Sequence, residues 1–171
     1  MGAVADTSSL IHPVKVTKFW EMMQETFQKI LIPDAVHMEI LQGREIGSPD
    51  VPVIEQAIER DWIEVRKIKK ERGLPDNLGE GEKEAISLMK KEKGKVDWLL
   101  MDDEVASRTA RLLFGLPVYS TVYLLIYWKG KGIAESAQSL IMLDDLIKTG
   151  YRLDSKDYLA VRERIASKHL I

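Results

Sequence analysis

The residues of this chain best placed to do chemistry are carboxylates that follow apolar, strand-like runs. Asp6 comes directly after the short run Gly2 to Ala5 and is followed by Thr7, Ser8 and Ser9. Asp102 and Asp103 come directly after Trp98-Leu99-Leu100-Met101, a run apolar enough to be a central strand buried on both faces. In open α/β sheets, ligands collect in the crevice outside the carboxyl ends of the strands, which is where such acids would stand. Each acid also has a plain structural reading. Asp6 can cap the helix after it, and paired acids at a helix start interact favourably with its dipole, by about 0.3–1 kcal/mol each. Glu39, in PDAVHMEIL, sits beside the apolar face made by Val36 and Ile40. Glu82, in LGEGEKEAI, follows Gly79 and Gly81, which permit close backbone approach at a helix start. Taken singly, each of these glutamates reads as a solvated surface acid.

The chemical case is collective. If Asp6, Glu39, Glu82 and Asp102 converge, each ionised pair about 5 Å apart repels by roughly 3 kcal/mol at an effective dielectric near 20. Such a cluster must take up protons, disperse or hold a cation. A hard divalent ion suits it, and magnesium is satisfied by one or two direct carboxylates plus waters. That ion would acidify a bound water and stabilise charge developing on a scissile phosphate. Convergence is a property of the fold, so the elements that carry these acids come next.

Short strand-like runs alternate with longer helix-like ones, the pattern of an α/β protein with a parallel sheet. Strands are expected at Gly2 to Ala5, Ile30 to Ile32, Trp62 to Val65, Val96 to Met101 and Val118-Tyr119. After Thr7-Ser8-Ser9, one helix carries Phe19, Met22, Met23 and Phe27 on its apolar face. Pro33-Asp34 opens a helix with Val36, Ile40 and Leu41. Gly43 to Pro52 reads as a loop, since Ser48-Pro49-Asp50 is a strong turn signal. Further helices are expected at Val53 to Arg60, Gly79 to Lys91, Glu104 to Phe114, Thr121 to Trp128, Ala134 to Lys148 and Ser155 to Ala166, the last capped by Asp154 or Ser155. A length of 171 residues suits one domain over 1–171, with the helices from about 133 to 171 packed on it.

Composition narrows the function classes. The absence of cysteine excludes disulfides, thiolate metal sites and a cysteine nucleophile. No apolar run approaches the roughly 18–20 residues needed to cross a bilayer, and MGAVADTSSLI lacks the features of a secretory leader, so a cytoplasmic protein is expected. The balance of 27 acids against 25 bases gives a formal net charge of −2, which argues against nucleic-acid binding through the whole surface. An acidic metal centre is compatible with it, because the bound ion reverses the local field.

The ordered set VADTSSLI, IPDAVHMEIL, LGEGEKEAISLM and LLMDDEVASRTARLLFGLPVYST resembles the PIN-domain superfamily, in particular the compact prokaryotic group related to VapC-type toxins. The likeness runs from Val4 to about Gly132. It implies a three-layer α/β/α fold with a short, mainly parallel sheet, and Mg²⁺- or Mn²⁺-dependent endonucleolytic cleavage of RNA. Carried over by position, Asp6 is the acid of the first strand, Glu39 the helix-borne acid, Glu82 the acid of the Gly-rich helix start and Asp102 the acid after the fourth strand. Asp103 adjoins them as a ligand or as an acid behind the ligands, and Thr7 and Ser8 are placed to bind a phosphate or a metal-bound water. The resemblance also implies an RNA substrate, a homodimer and, for a toxin, an antitoxin protein covering the acidic groove.

One departure stands out. Many PIN nucleases carry a further Asp just after the last strand, where this chain has Ser120-Thr121. A hydroxyl can position water or phosphate but supplies no negative charge, so a catalytically weak or inactive PIN-like binding module is the alternative reading. Two others are a phosphotransfer enzyme with Asp6 as nucleophile and a dimerisation module built on the C-terminal forty or so residues. The first lacks the second Asp usual two positions on, where Ser8 stands. His12, His37 and His169 show no metal spacing and read as structural or surface residues. Arg108 and Arg111 can meet RNA phosphates or pair with nearby acids on their helix. The basic runs Arg66 to Arg72 and Lys90 to Lys95 can track a phosphate backbone or simply be solvated.

Overall fold

The computed structural model describes residues 1–167; His169 and the end of the expected C-terminal segment lie outside them. Five strands, β1 (Gly2–Ala5), β2 (Lys29–Pro33), β3 (Ile63–Arg66), β4 (Trp98–Leu100) and β5 (Val118–Tyr119), form one sheet in the order β3-β2-β1-β4-β5. Every pairing is parallel. The chain leaves β1 toward β2 on one side and reaches β4 on the other, so the order reverses at β1. The crevice at the carboxyl ends of β1 and β4 is therefore the switch point of the sheet.

Strand periodicity decides what lies on each face. Ala3, Ala5, Ile30, Ile32, Trp98 and Leu100 point into the larger core, with Phe19, Met23, Leu125, Trp128 and Leu143. Val4, Leu31, Leu99 and Met101 point the other way, into a smaller core with Ile86, Met89, Ala106 and Ala110. Helices α2 (Thr17–Thr26), α4 (Asp50–Glu59), α7 (Thr121–Gly130) and α8 (Ser136–Lys148) contribute to the first core, α5 (Glu80–Lys91) and α6 (Glu104–Phe114) to the second. The result is a three-layer α/β/α arrangement. The hairpin of α8 and α9 (Ser155–Ala166) packs on α7.

Several boundaries differ from the sequence expectation. The first helix is split into a single turn, α1 (Ser8–Ile11), and α2, because Pro13 opens a 3-10 turn, Pro13–Lys15, between them. Phe27 is buried just past the end of α2. The expected loop from Gly43 holds a 3-10 turn, Gly43–Ile46, and α4 begins at Asp50. Pro52 fits there because the first helical turn needs no donor from its backbone nitrogen. The strand expected over Val96 to Met101 is ladder-paired only at Trp98–Leu100. Among the described residues no helix is long and apolar enough to cross a membrane.

Candidate active site

Asp6 and Asp102 leave adjacent strands at the same edge. Ala5 is in register with Leu100, and Asp6 N–H continues the ladder to Leu100 O at 3.1 Å. Asp6 is only 4% exposed. Its Oδ1 accepts from Ser9 N–H at 2.9 Å, and Ser8 Oγ donates to its two oxygens at 3.1 and 3.2 Å. The capping bond to Ser9 is therefore real, and it coexists with the acid's position in the crevice. Burial, with the charge of Asp102 as the next cause, pushes the Asp6 carboxyl up to about 7, against the hydrogen bonds from Ser9 and Ser8.

Asp102 is surrounded by donors. Thr121 N–H and Tyr151 O–H each donate to Oδ1 at 2.7 Å, and Thr121 Oγ donates to Oδ2 at 2.7 Å. Ser9 Oγ stands 3.4 Å from Oδ2. Burial raises the Asp102 carboxyl above its usual range, opposed by these donors and by His12. Ser9 thus joins the two acids, its amide on Asp6 and its hydroxyl toward Asp102.

Glu39 reaches the same crevice from α3 (Asp34–Gln42). Its Oε1 accepts from Gly81 N–H at 3.0 Å, and Thr7 Oγ donates to Oε2. A β-carbon on Gly81 would lie 2.7 Å from both Glu39 oxygens, so the glycine is there for close approach, as its place at a helix start suggests. Glu82 accepts from Gly79 N–H at 2.8 Å, closing the first turn of α5. Burial raises its carboxyl, helped by the charges of Asp103 and Glu39. Asp103 caps α6 by accepting from Ala106 N–H at 2.8 Å, which is the plain structural role weighed for it.

Two openings serve these acids. A recess of about 140 Å³ is lined by Asp6, Thr7, Ser8, Glu39, Gly79 and Glu82. Asp102 instead faces a cleft of about 790 Å³ between α6 and α9, with Ser120, Tyr151 and the arginines Arg108, Arg111, Arg152 and Arg164 on its walls. Arg111 is partly engaged, donating to Val118 O at 2.9 Å. Ser120 and Arg108 thus lie on the Asp102 side, while Thr7 and Ser8 lie on the Asp6 side.

Among the described residues, no group of three or more His, Asp or Glu side chains is already arranged to hold a metal ion. The donors at the switch point are nevertheless all hard oxygens, and buried Asp6 beside half-buried Asp102 is the kind of pair that a magnesium-like ion relieves with two carboxylates and waters. The residue types and the pair fit such an ion. Tyr151 was not visible as a site residue in the sequence. It acts across 49 residues and belongs to none of the acidic motifs.

A family model described as a PIN domain matches residues 2–167. Among solved structures, a PilT N-terminus domain protein from the archaeon Sulfolobus solfataricus is similar at 20% identity and a TM-score of 0.50, over 72% of this chain and 90% of that one. A domain of a functionally unknown protein from Methanocaldococcus jannaschii is similar at 22% identity and a TM-score of 0.47, over 70% and 89%. No curated protein matches. PIN domains are generally nucleases that use divalent metal ions and bind nucleic acid. With its parallel sheet, its acids at the switch point and a family match spanning residues 2–167, this chain belongs to the PIN-domain family.

Proposed function

We propose that the chain is a Mg²⁺- or Mn²⁺-dependent endoribonuclease. The observation that carries this reading is the meeting of Asp6 and Asp102 at the switch point, where Asp6 is buried and the charge of Asp102 helps to raise its carboxyl. Asp6 and Asp102 would hold the ion, with Glu82 and Asp103 on its outer side. When bound, the ion supplies an acidified water and stabilises charge on the scissile phosphate. Glu39 is fixed by Gly81 and Thr7, and orients Thr7 at the mouth of the recess. Ser8 keeps Asp6 in place. Arg108 and Ser120 line the neighbouring cleft, where phosphates and sugar hydroxyls of a strand can be met. RNA as the nucleic acid and an antitoxin partner over the acidic groove follow from the VapC-type resemblance; a cytoplasmic setting and a homodimer complete the proposal. Growth arrest on expression, relieved by the product of a neighbouring gene, tests the toxin role; no arrest removes it.

A second reading, a weak or inactive PIN-like module, is favoured by one observation. Thr121, in the region where many relatives have an acid, directs both its N–H and its hydroxyl to Asp102. One experiment separates the two: cleavage of mixed RNA with Mg²⁺, Mn²⁺ or EDTA, using wild type, Asp6→Asn and Asp102→Asn. The nuclease reading expects cation-dependent cutting abolished in both variants. Cutting that either variant retains in full belongs to a contaminant or a different site.

A further inference from the structure

A carboxylate has about four lone-pair positions on its two oxygens. On Asp102 Oδ1, two donors stand at 2.7 Å, the Thr121 amide and the Tyr151 hydroxyl. On Oδ2, one is closed by Thr121 Oγ at 2.7 Å, while the other side meets only Ser9 Oγ at 3.4 Å. Ser9 in turn binds Asp6 Oδ1 through its amide at 2.9 Å. Among the described residues, the one position on Asp102 without a short bond therefore faces Ser9, the residue whose amide binds Asp6.

Two of the three short donors come from Thr121 at the start of α7, next in the chain after β5. The third, Tyr151, lies 49 residues further along the chain than Asp102. Tyr151 is buried in the segment between α8 and α9, just after Gly150, whose φ of +91° makes the turn that a glycine permits. Its ring meets His12 edge-on, with centroids 5.5 Å apart. His12 Nδ1 lies 2.9 Å from Thr149 Oγ in the same segment. The turn Thr149-Gly150-Tyr151 is thus pinned to both the α1 end and Asp102.

On the basis of the metal-dependent reading, we propose that Tyr151 is a positioning residue for Asp102. Its hydroxyl, with the Thr121 amide, saturates Oδ1 and holds the carboxylate so that Oδ2 alone keeps an open position, on the side of Ser9 that joins it to Asp6. Asp102 then serves a cation as a single-oxygen ligand of fixed direction. The C-terminal hairpin becomes part of the centre through this tyrosine. Hydrogen-bonding groups behind metal ligands orient them in this way, and their loss costs about 10–100-fold in metal affinity or activity.

The test is Mn²⁺ binding to the full chain without RNA, followed by the electron paramagnetic resonance of the free ion. Tyr151→Phe keeps the ring and removes only the hydroxyl. Tyr158→Phe is the control, because Tyr158 donates to Asp144 at 2.6 Å in the same hairpin, away from the acids. Tyr151→Phe is expected to raise the Mn²⁺ dissociation constant about tenfold and to lower kcat with KM for RNA unchanged; Tyr158→Phe leaves both as in wild type. If circular dichroism shows Tyr151→Phe unfolded, Tyr151→Leu serves in its place. Wild-type affinity in the Tyr151 variant, or an equal loss in both variants, overturns the positioning role while wild-type binding that is lost in Asp6→Asn keeps the metal reading alive. A wild type that binds no Mn²⁺ sinks the metal reading and the positioning role with it.

Discussion

A carboxyl pushed up to about 7 in the folded chain, from an ordinary value of 3.8, ties the stability of the metal-free protein to pH. Between those two values the native state keeps the Asp6 proton that the unfolded chain has released. Unfolding then releases a proton, so the contribution of Asp6 to stability falls as pH rises through this window and levels off above about 7. Urea melts in EDTA at intervals from pH 4 to 8 should therefore show wild type losing stability relative to Asp6→Asn over that range; parallel curves would contradict it. The positions of Asp6 and Asp102 were legible because each follows an apolar run that had to be a buried strand. Thr121 was legible only as a replacement for an acid. That its amide and hydroxyl both turn to Asp102 depends on how β5 meets α7, which no local pattern encodes. Tyr151 gave no signal, since its partner is brought to it by the fold alone.

The first turn of α5 sets how near Glu39 can come, and it makes a separate prediction. In Gly81→Ala the new methyl group meets the Glu39 carboxylate, the end of a flexible side chain, which must swing away from Gly81 N–H and Thr7. Alanine is the better helix former by about 1 kcal/mol, which offsets the lost hydrogen bond. The expected result is cleavage reduced tenfold or more with a chemical-denaturation midpoint close to wild type. A matching fall in both would mean that the crowding is felt by the helix rather than by the site. At this scale the sequence was read well where a strand or helix had a clear period, and less well at its ends. Pro13 divides a segment that its apolar spacing alone would join. Helix α7 buries Val122, Leu124, Leu125, Ile126 and Trp128, so it carries apolar residues on nearly every side and shows little amphipathic signal. Its existence was legible; its central place between the sheet and the C-terminal hairpin was not.

The proposed ligands follow β1 and β4, with Glu82 on α5 and Asp103 at the start of α6 beside them, so a cation held there would tie together elements from much of the fold. Binding to the native state alone stabilises it by about 2.7 kcal/mol at a hundredfold excess over the dissociation constant. For a chain of this size that is a rise in Tm of roughly 5–10 °C. Thermal melts with Mn²⁺ and with EDTA should show such a rise in wild type and its loss in Asp6→Asn; equal shifts in the two would place the ion elsewhere. The alternation of strands and helices made the parallel sheet legible, while the strand order that puts β1 in the middle was not. That order has a consequence for synthesis. Strand β1 is made before both of its neighbours: it can pair early with β2, but its other edge stays open until residues 98–100 emerge, and the tyrosine that braces Asp102 comes later still. A nascent chain therefore exposes Asp6 before the residues that complete the cluster around it have been made.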